Sequence, residues 1–227
     1  MKPPRVPESA RKKPLWMWAG MVGMVGIIAV ALGIAVWSTS GSDAMVSQGT
    51  TAPNDSSSST AETQPVTVTG TPLPAPSDSG VDTAIGMAVP TLSGFRFDGT
   101  PIDITPGGNA KMVVFLAHWC PHCNNEIPVL QSWAEAGGVP AGLDIIGVST
   151  AVNAQRDNYP PSKWMIAREW AWPVLADSVA SDAAIAYGVT GFPTFVIVGA
   201  DGTVKVRSSG ELAVADLDAL VKQAVAA

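Results

Sequence analysis

The residues best suited to chemistry in this chain are two cysteines, Cys120 and Cys123, spaced C-x-x-C. They lie in the segment AHWCPHC of residues 117–123, and the 227-residue chain contains no other cysteine. Such a pair can close a small disulfide ring and pass that disulfide to another protein. Because no third cysteine is present to crosslink the fold, the pair indicates redox chemistry rather than a structural disulfide.

The residues flanking the pair predict a strand-to-helix junction. Residues 111–117 form a short apolar run that is typical of a buried strand. After the pair, apolar residues follow the three-and-four spacing of an amphipathic helix. Cys120 then falls at a helix N-terminus, where unpaired N–H groups and the helix dipole stabilise a thiolate. We expect Cys120 to react with the substrate and the shielded Cys123 to resolve the mixed disulfide.

The first 81 residues predict an anchor and a tether. Residues 1–14 are basic, and residues 15–37 are 23 consecutive uncharged residues, enough to span a bilayer core of about 30 Å. Because the basic cluster precedes the span, the N-terminus is predicted to be cytoplasmic and the rest extracytoplasmic. Residues 38–81 are rich in Ser, Thr and Pro, which predicts a disordered linker. A cleaved signal peptide is the alternative, but its apolar core is usually shorter and Trp37 disfavours cleavage nearby.

Residues 82–227 have the size of one domain, and their pattern predicts an α/β fold. The chain carries a net charge of −6 and has no basic stripe, so nucleic acid is excluded as an expected partner. Strands alternate with helices and end in a hairpin, which favours a mixed sheet flanked by helices. The predicted elements are an opening hairpin over 85–104, strands over 112–117, 143–149, 194–198 and 203–208, a short edge strand at 174–175, and helices over 121–136, 161–171, 179–187 and 213–225.

The ordered motifs resemble those of the thioredoxin superfamily. Within it, the chain is similar to the membrane-anchored, extracytoplasmic branch of TlpA- and ResA-like proteins. Trp119 precedes the cysteines, Glu126 and Pro128 follow them as in the W-C-x-x-C-x-x-E-x-P pattern, and residues 187–195 (YGVTGFPTF) resemble the Y-G-V-x-G-x-P-T loop. Residues 198–204 resemble the closing hairpin. The resemblance covers about residues 85–225 and implies a thioredoxin-like three-layer sandwich after one transmembrane helix.

The resemblance also implies roles for individual residues. Pro193 is expected to be cis and to face the disulfide, and the loop of Phe192, Pro193 and Thr194 is expected to bind a substrate segment as an extended strand. Trp119 is expected to be exposed to whatever docks beside Cys120. Val114 occupies the position of the buried aspartate of thioredoxin. Glu126 is then expected to accept the proton of Cys123, in contrast to an exposed, salt-bridged role.

The dipeptide between the cysteines, Pro121-His122, is that of DsbA-type oxidases, whereas reductive members of the branch carry proline directly before the second cysteine. A cationic His122 near Cys120 would stabilise the thiolate and thereby make the disulfide more oxidising. The alternative is a solvated ring with little electronic effect. The motif favours oxidation, whereas the surrounding scaffold favours reduction.

These observations predict an extracytoplasmic, single-pass membrane enzyme that exchanges disulfides with substrate proteins and slightly favours oxidation. The alternatives are a dedicated reductant for cytochrome c maturation or other exported thiol proteins, and a non-catalytic thioredoxin-fold binding module. We expect a membrane redox partner that recharges the pair, and no cofactor other than the disulfide of Cys120 and Cys123. The chain has no second pair of ligands for a structural zinc site. It also lacks the C-x-x-C-H motif of covalent haem attachment and the T-x-x-C motif of a peroxidatic site.

Aromatic residues in the insertion between the middle strands are open to two interpretations. Trp164, Trp170 and Trp172 could form a docking surface with the segment 159–161, or they could pack in the core. Core packing is the commoner role of such residues.

Overall fold

The apolar run before the cysteines forms the central strand of a mixed sheet. The computed structural model describes residues 61–77 and 80–226. The strands are β1 (Thr67–Thr69), β2 (Thr91–Phe95), β3 (Pro101–Ile104), β4 (Ala110–Leu116), β5 (Leu143–Ser149), β6 (Val174–Ala176), β7 (Thr194–Val198) and β8 (Val204–Ser209). The helices are α1 (Pro121–Glu135), α2 (Pro161–Ala167), α3 (Asp182–Ala186) and α4 (Val214–Ala226).

The strands follow the order β1-β2-β6-β5-β4-β7-β8, and β3 also pairs with β2. Strand β4 runs parallel to β5 and antiparallel to β7. Strand β5 in turn runs parallel to β6, whereas β7 and β8 form the closing antiparallel hairpin. The carboxyl end of β4, from which the chain enters α1, therefore lies in the middle of the sheet.

Side chains of β4 alternate between two apolar cores, one on each face of the sheet. Met112, Val114 and Leu116 pack with residues of α1, α2 and α4. Val113 and Phe115 pack with residues of α3 and of the segment before β2. Successive residues of a strand point to opposite faces, so burial on both faces explains the continuous apolar run. The predicted three-layer α/β arrangement is confirmed for the described residues.

The N-terminal boundary of the domain differs from the prediction. Strand β1 pairs with β2 along three residues, and Leu73 is only 4% exposed. The Leu73 N–H donates to the carbonyl of Ala186 at 2.8 Å, and the Glu62 carboxylate accepts hydrogen bonds from the backbone N–H and Oγ of Ser162 in α2. The prediction of a tether was therefore wrong over residues 61–77. Backbone pairing and the burial of one leucine hold this polar segment against the domain. Neither of them leaves a periodic pattern of apolar residues in the sequence.

The predicted cytoplasmic segment 1–14, the predicted anchor 15–37 and the first part of the predicted linker lie outside the described residues. Within residues 61–77 and 80–226, no helix combines the length and apolarity needed to cross a membrane.

Three predicted elements have different positions in the structure. Strand β6 is not an edge strand, because it pairs with β5 on one side and with Phe95 of β2 on the other. Helix α2 ends at Ala167, and Glu169 has a φ of 55°, which an α-helix does not allow. Helix α3 begins only at Asp182, after Ser181 in the left-handed region. Both helix boundaries lie next to a residue with positive φ, which the apolar pattern does not encode.

A buried ion pair ties the segment before β2 to β8. The Arg207 guanidinium, 2% exposed, binds both carboxylate oxygens of Asp82 at 2.6 and 2.7 Å and also donates to the carbonyls of Pro74 and Tyr187. We expect Arg207→Ala to lower the free energy of unfolding by about 3 kcal/mol, because it leaves Asp82 and two carbonyls without their partner. Urea denaturation measures this change.

The matched control for this prediction is the exposed pair of Lys222 and Asp218 on α4. We expect Lys222→Ala to change the free energy of unfolding by less than about 0.5 kcal/mol, since exposed ion pairs within a helix contribute little. Equal effects of the two substitutions would contradict the structural role given to Arg207.

Candidate active site

Cys120 is the N-cap residue of α1, as its sequence position predicts. Its backbone N–H donates to the Ala117 carbonyl at 3.0 Å, which closes a tight turn between β4 and the helix. No acidic residue lies in the first turn of α1, and Pro121 occupies the first helical position. The sulfur of Cys120 therefore lies at the positive end of the helix dipole with no carboxylate of that turn beside it.

The two sulfurs differ in their residual exposure to solvent. Both belong to buried free cysteines; Cys120 keeps 6% of its surface exposed, whereas Cys123 keeps none. Burial raises the pKa of Cys123 far above its usual range, and the nearby Cys120 and Glu126 raise it further. Cys123 is thus held as a thiol inside the protein. The geometry makes Cys120 the sulfur that a substrate can reach, and Cys123 the sulfur behind it.

Glu126 lies one turn after Cys123 on the same face of α1, in the i, i+3 relation that brings side chains together. Its side chain is only 1% exposed. Oε2 accepts a hydrogen bond from the Leu212 N–H at 2.8 Å, whereas Oε1 has no partner among the described residues. Burial raises the pKa of Glu126 to about 7, and the charge of Glu211 contributes to the rise. Glu126 is therefore a buried carboxyl, not an exposed or salt-bridged one.

The predicted substrate loop faces Cys120 through the backbone of Phe192. The Cys120 sulfur donates to the Phe192 carbonyl at 3.4 Å, and the Phe192–Pro193 peptide bond is cis. The Pro193 carbonyl accepts a hydrogen bond from the Gly210 N–H at 2.8 Å. Thr194 is 2% exposed, and its hydroxyl donates to Gly191 O at 2.8 Å. Of the three predicted binding residues, Phe192 lines the surface, whereas Pro193 and Thr194 are buried beneath it.

Trp119 is half-buried beside Cys120 and is fixed on two sides. Its indole Nε1 donates to the Ala151 carbonyl at 2.8 Å, and its ring meets Phe192 edge to face, with 6.0 Å between centroids. The Arg156 guanidinium lies over the indole, 4.7 Å from the ring centroid, in a cation–π contact. Trp119 thus joins the substrate loop to the loop of residues 151–159.

His118 anchors that same loop from below and was not assigned a role from the sequence. It is fully buried, with Nδ1 at 2.7 Å from the Asp157 carbonyl and Nε2 at 3.2 Å from the Asn153 N–H. These partners require a neutral ring that donates from Nδ1 and accepts at Nε2. Burial lowers the pKa of His118. Its ring therefore binds this loop.

His122 is exposed at the tip of α1 and has a carboxylate partner. Its Nδ1 lies 2.6 Å from Oε1 of Glu211, which also accepts from the Asn125 side chain at 3.1 Å. The hydrogen bond from His122 lowers the pKa of Glu211. The sequence places these residues 89 positions apart, so only the fold brings them together. Because Glu211 offsets part of an imidazolium charge, the expected effect of His122 on Cys120 is weaker than that of an unpaired cation.

The remaining predicted residues have structural surroundings. Val114 is buried in the same apolar cluster as both cysteines, so that position holds no ionisable group. Trp164 is 4% exposed and donates from Nε1 to Asn124, whose amide donates to the Cys120 carbonyl. Trp170 and Trp172 pack edge to face at 4.9 Å. Within the described residues, no group of three or more His, Cys, Asp or Glu side chains could hold a metal ion.

The site consists of a thiol at the tip of a helix, a fully buried thiol one turn further along, and a cis-proline loop that contacts the first of them. This combination defines a class of protein. The molecule is a thioredoxin-fold thiol–disulfide oxidoreductase. The chain belongs to the AhpC/TSA family, whose family model matches residues 85–207, more than half of the sequence. The resemblance to the thioredoxin superfamily is thereby confirmed.

Solved structures share this fold at low sequence identity. A candidate thiol:disulfide interchange protein DsbE from Chlorobium tepidum matches with a TM-score of 0.50 and 22% identity over 61% of this chain and 94% of that chain. A candidate thioredoxin from Neisseria meningitidis matches with a TM-score of 0.50 and 17% identity, covering 62% of this chain and 90% of its own. Among curated proteins, none matches this sequence. At these identities the structural matches bear on the fold alone.

Proposed function

We propose that this protein is a membrane-anchored, extracytoplasmic enzyme that exchanges disulfides with thiol-bearing substrate proteins and favours their oxidation. The observation that carries the proposal is the pairing of a reachable Cys120 with a fully buried Cys123 at the start of α1. A binding module of the same fold would have no need of two thiols with such different surroundings. The backbone carbonyl of Phe192, which faces the Cys120 sulfur, is the place where the family resemblance implies binding of an extended substrate segment.

In the oxidising direction, a substrate thiolate attacks the sulfur of Cys120 in the Cys120–Cys123 disulfide. A sulfur–sulfur bond forms between the substrate and Cys120, and Cys123 leaves as a thiolate that takes up a proton. A second substrate thiolate then attacks the substrate sulfur, which releases the oxidised substrate and a Cys120 thiolate stabilised by the helix N-terminus. Glu126, whose pKa is near neutrality, is the group placed to give the proton to Cys123.

In the reducing direction the same steps run backwards, and Glu126 accepts the proton of Cys123. A dedicated reductant for cytochrome c maturation or other exported thiol proteins is therefore the second candidate. The pairing of His122 with Glu211 favours it, because a compensated cation stabilises the reduced form less than a free one. The net direction depends on the reduction potential of the pair and on the partner that recharges it.

The proposed location rests on the sequence of residues 1–37. A basic cluster before an uncharged apolar run of spanning length favours a single-pass anchor with the catalytic domain outside. An oxidising exterior compartment suits an enzyme that exchanges disulfides. The proposed recharging partner is a redox protein of the same membrane.

The reduction potential of the cysteine pair tests the direction of the reaction. We expect a value closer to about −120 mV, typical of an oxidase, than to about −270 mV, typical of a reductase. We also expect that Pro121→Glu combined with His122→Pro makes the pair more reducing by tens of millivolts, on the order of the spread between such enzymes. Equilibration with glutathione redox buffers, followed by quantification of both thiol states, gives these potentials.

The matched control is Glu211→Gln, which keeps a hydrogen-bond acceptor for His122 and removes the compensating charge. This variant should be more oxidising than the parent protein, because nothing then offsets the positive charge of an imidazolium beside Cys120. Identical potentials for the double variant and the parent protein would show that the dipeptide does not set the direction.

A further inference from the structure

The rim of the active site carries one cation that the proposed mechanism does not use. Arg156 is exposed and lies over the Trp119 ring, 4.7 Å from its centroid. Within the described residues it forms no ion pair, whereas Lys205, Arg207 and Lys222 each bind a carboxylate. The whole chain has a net charge of −6. The charge of this unpaired guanidinium, which lies over the tryptophan next to Cys120, is therefore opposite to the net charge of the protein.

Continuous contacts connect this cation to the reacting sulfur. The Arg156 guanidinium stacks on Trp119, the Trp119 ring meets the Phe192 ring, and the Phe192 carbonyl accepts from the Cys120 sulfur. A substrate segment that brings its cysteine to Cys120 and lies along Phe192 must pass the Trp119 ring. The guanidinium above that ring is then within reach of side chains next to the substrate cysteine.

The loop that carries Arg156 is held in place from beneath the surface. The Arg156 N–H donates to the Asn153 carbonyl at 3.1 Å, and the buried His118 binds the loop through the backbones of Asn153 and Asp157. The Asn158 amide adds a hydrogen bond to the His118 carbonyl at 2.9 Å. The guanidinium is therefore presented from a fixed backbone, which lowers the entropy cost of using it in recognition.

We propose that Arg156 is a specificity-determining residue that selects substrate segments with an acidic side chain beside the reactive cysteine. The inference rests on the proposed exchange reaction at Cys120 and adds the class of substrate to it. A carboxylate near Trp119 would pair with the guanidinium through parallel N–H···O bonds, and a lysine at the same place would be repelled. A neutral neighbour would be accepted without preference.

The test uses the full-length reduced protein and three peptides that differ only in the residue next to a single cysteine, which is Glu, Gln or Lys. Each cysteine is linked through a disulfide to 2-thiopyridine. The Cys120 thiolate attacks the peptide sulfur and expels pyridine-2-thiolate, which takes a proton from water and becomes neutral 2-thiopyridone. Cys123 then gives its proton to Glu126 and attacks the sulfur of Cys120, and the peptide leaves as a thiolate that takes up a proton. Two electrons pass from the cysteine pair to the peptide disulfide, and the absorbance of the released 2-thiopyridone gives the rate.

We expect the Glu peptide to react about two- to fivefold faster than the Lys peptide, with the Gln peptide between them. Arg156→Gln should remove this order, and Arg156→Glu should reverse it. The preference of the parent protein should shrink at high salt, because the pair is exposed. The control Lys222→Gln removes a cation on α4 and should retain the order.

Absence of a preference in the parent protein, or a preference that survives in Arg156→Gln, would overturn the proposal. An equal slowing of all three peptides by Arg156→Gln would also overturn it, since Arg156 would then act on the Cys120 thiolate rather than on the substrate. A reversed order in the parent protein, with the Lys peptide fastest, that disappears in Asp157→Asn would overturn it as well and assign selection to the neighbouring carboxylate. A parent protein that reacts with none of the peptides would contradict the exchange reaction itself.

Discussion

Cys120→Ser should reduce thiol–disulfide exchange to the uncatalysed background. The serine hydroxyl keeps the size of the side chain at the helix tip but cannot form a disulfide, and Cys123 is too deeply buried to replace it. The expected loss applies to both directions, because every step of the exchange passes through the Cys120 sulfur. Reduction of a model disulfide and oxidation of a reduced peptide, each followed by absorbance or mass, measure the two directions.

Cys123→Ser is the matched control for this prediction and should have a different effect. Attack by Cys120 on a peptide disulfide should continue, but the mixed disulfide should accumulate because the resolving sulfur is missing. Mass spectrometry of the intact protein should then find one peptide bound per chain through Cys120. Two results would reverse the assignment of the two sulfurs. One is full turnover in Cys120→Ser, and the other is a peptide attached to Cys123 in Cys120→Ser.

Glu126→Gln should slow resolution of the mixed disulfide by about a hundredfold at neutral pH. The buried Cys123 has a raised pKa and needs a base within the protein, and Glu126 ionises near pH 7 on the same helix face. The amide preserves shape and the acceptor for the Leu212 N–H but cannot take up a proton. The rate of the parent protein should rise with pH through about 7, and this rise should vanish in the variant.

The control for Glu126 is Glu135→Gln, which changes an exposed carboxylate at the end of the same helix. Stopped-flow measurement of resolution in a single turnover should show no effect of this control. An unchanged pH profile in Glu126→Gln would remove the carboxyl from the proton transfer and leave it only a structural role.

The same carboxyl should also make stability depend on pH. Its pKa is raised in the folded protein to about 7, so the folded state holds a proton that the unfolded state releases at lower pH. The stabilisation from this proton is complete below the ordinary glutamate pKa and is lost as the pH rises through about 7, which amounts to about 3 kcal/mol at most. Glu126→Gln should abolish that loss, as denaturation at pH values of about 5 and 8 would show.

Much of the site could be predicted because its residues are close in sequence. The apolar run of β4, the cysteines and the face of α1 follow one another within residues 110–135, so local periodicity determines their arrangement. Glu126 follows Cys123 by three positions and must share its helix face. The approach of Phe192 to Cys120 required the family resemblance, because 72 residues separate them.

Other parts of the site depend on contacts that leave no pattern in the sequence. Glu211 meets His122 only because the segment before α4 packs against α1, and nothing around Glu211 distinguishes it from other surface acids. The role of His118 does not follow from the sequence, since its partners are backbone groups of a loop 35 to 39 residues away. The folded structure of residues 61–77 could not be predicted, because β1 contributes backbone hydrogen bonds rather than apolar side chains.

Strand β1 has a practical consequence for any shortened form of this protein. A fragment that starts at the apparent boundary near residue 82 would lose β1, Leu73 and the carbonyl of Pro74 that Arg207 binds. One side of β2 would then present unpaired N–H and C=O groups to solvent next to the buried Leu92. An open edge of this kind pairs readily with other chains, so such a fragment would be prone to aggregate even though its cysteines and helices α1 to α4 were intact.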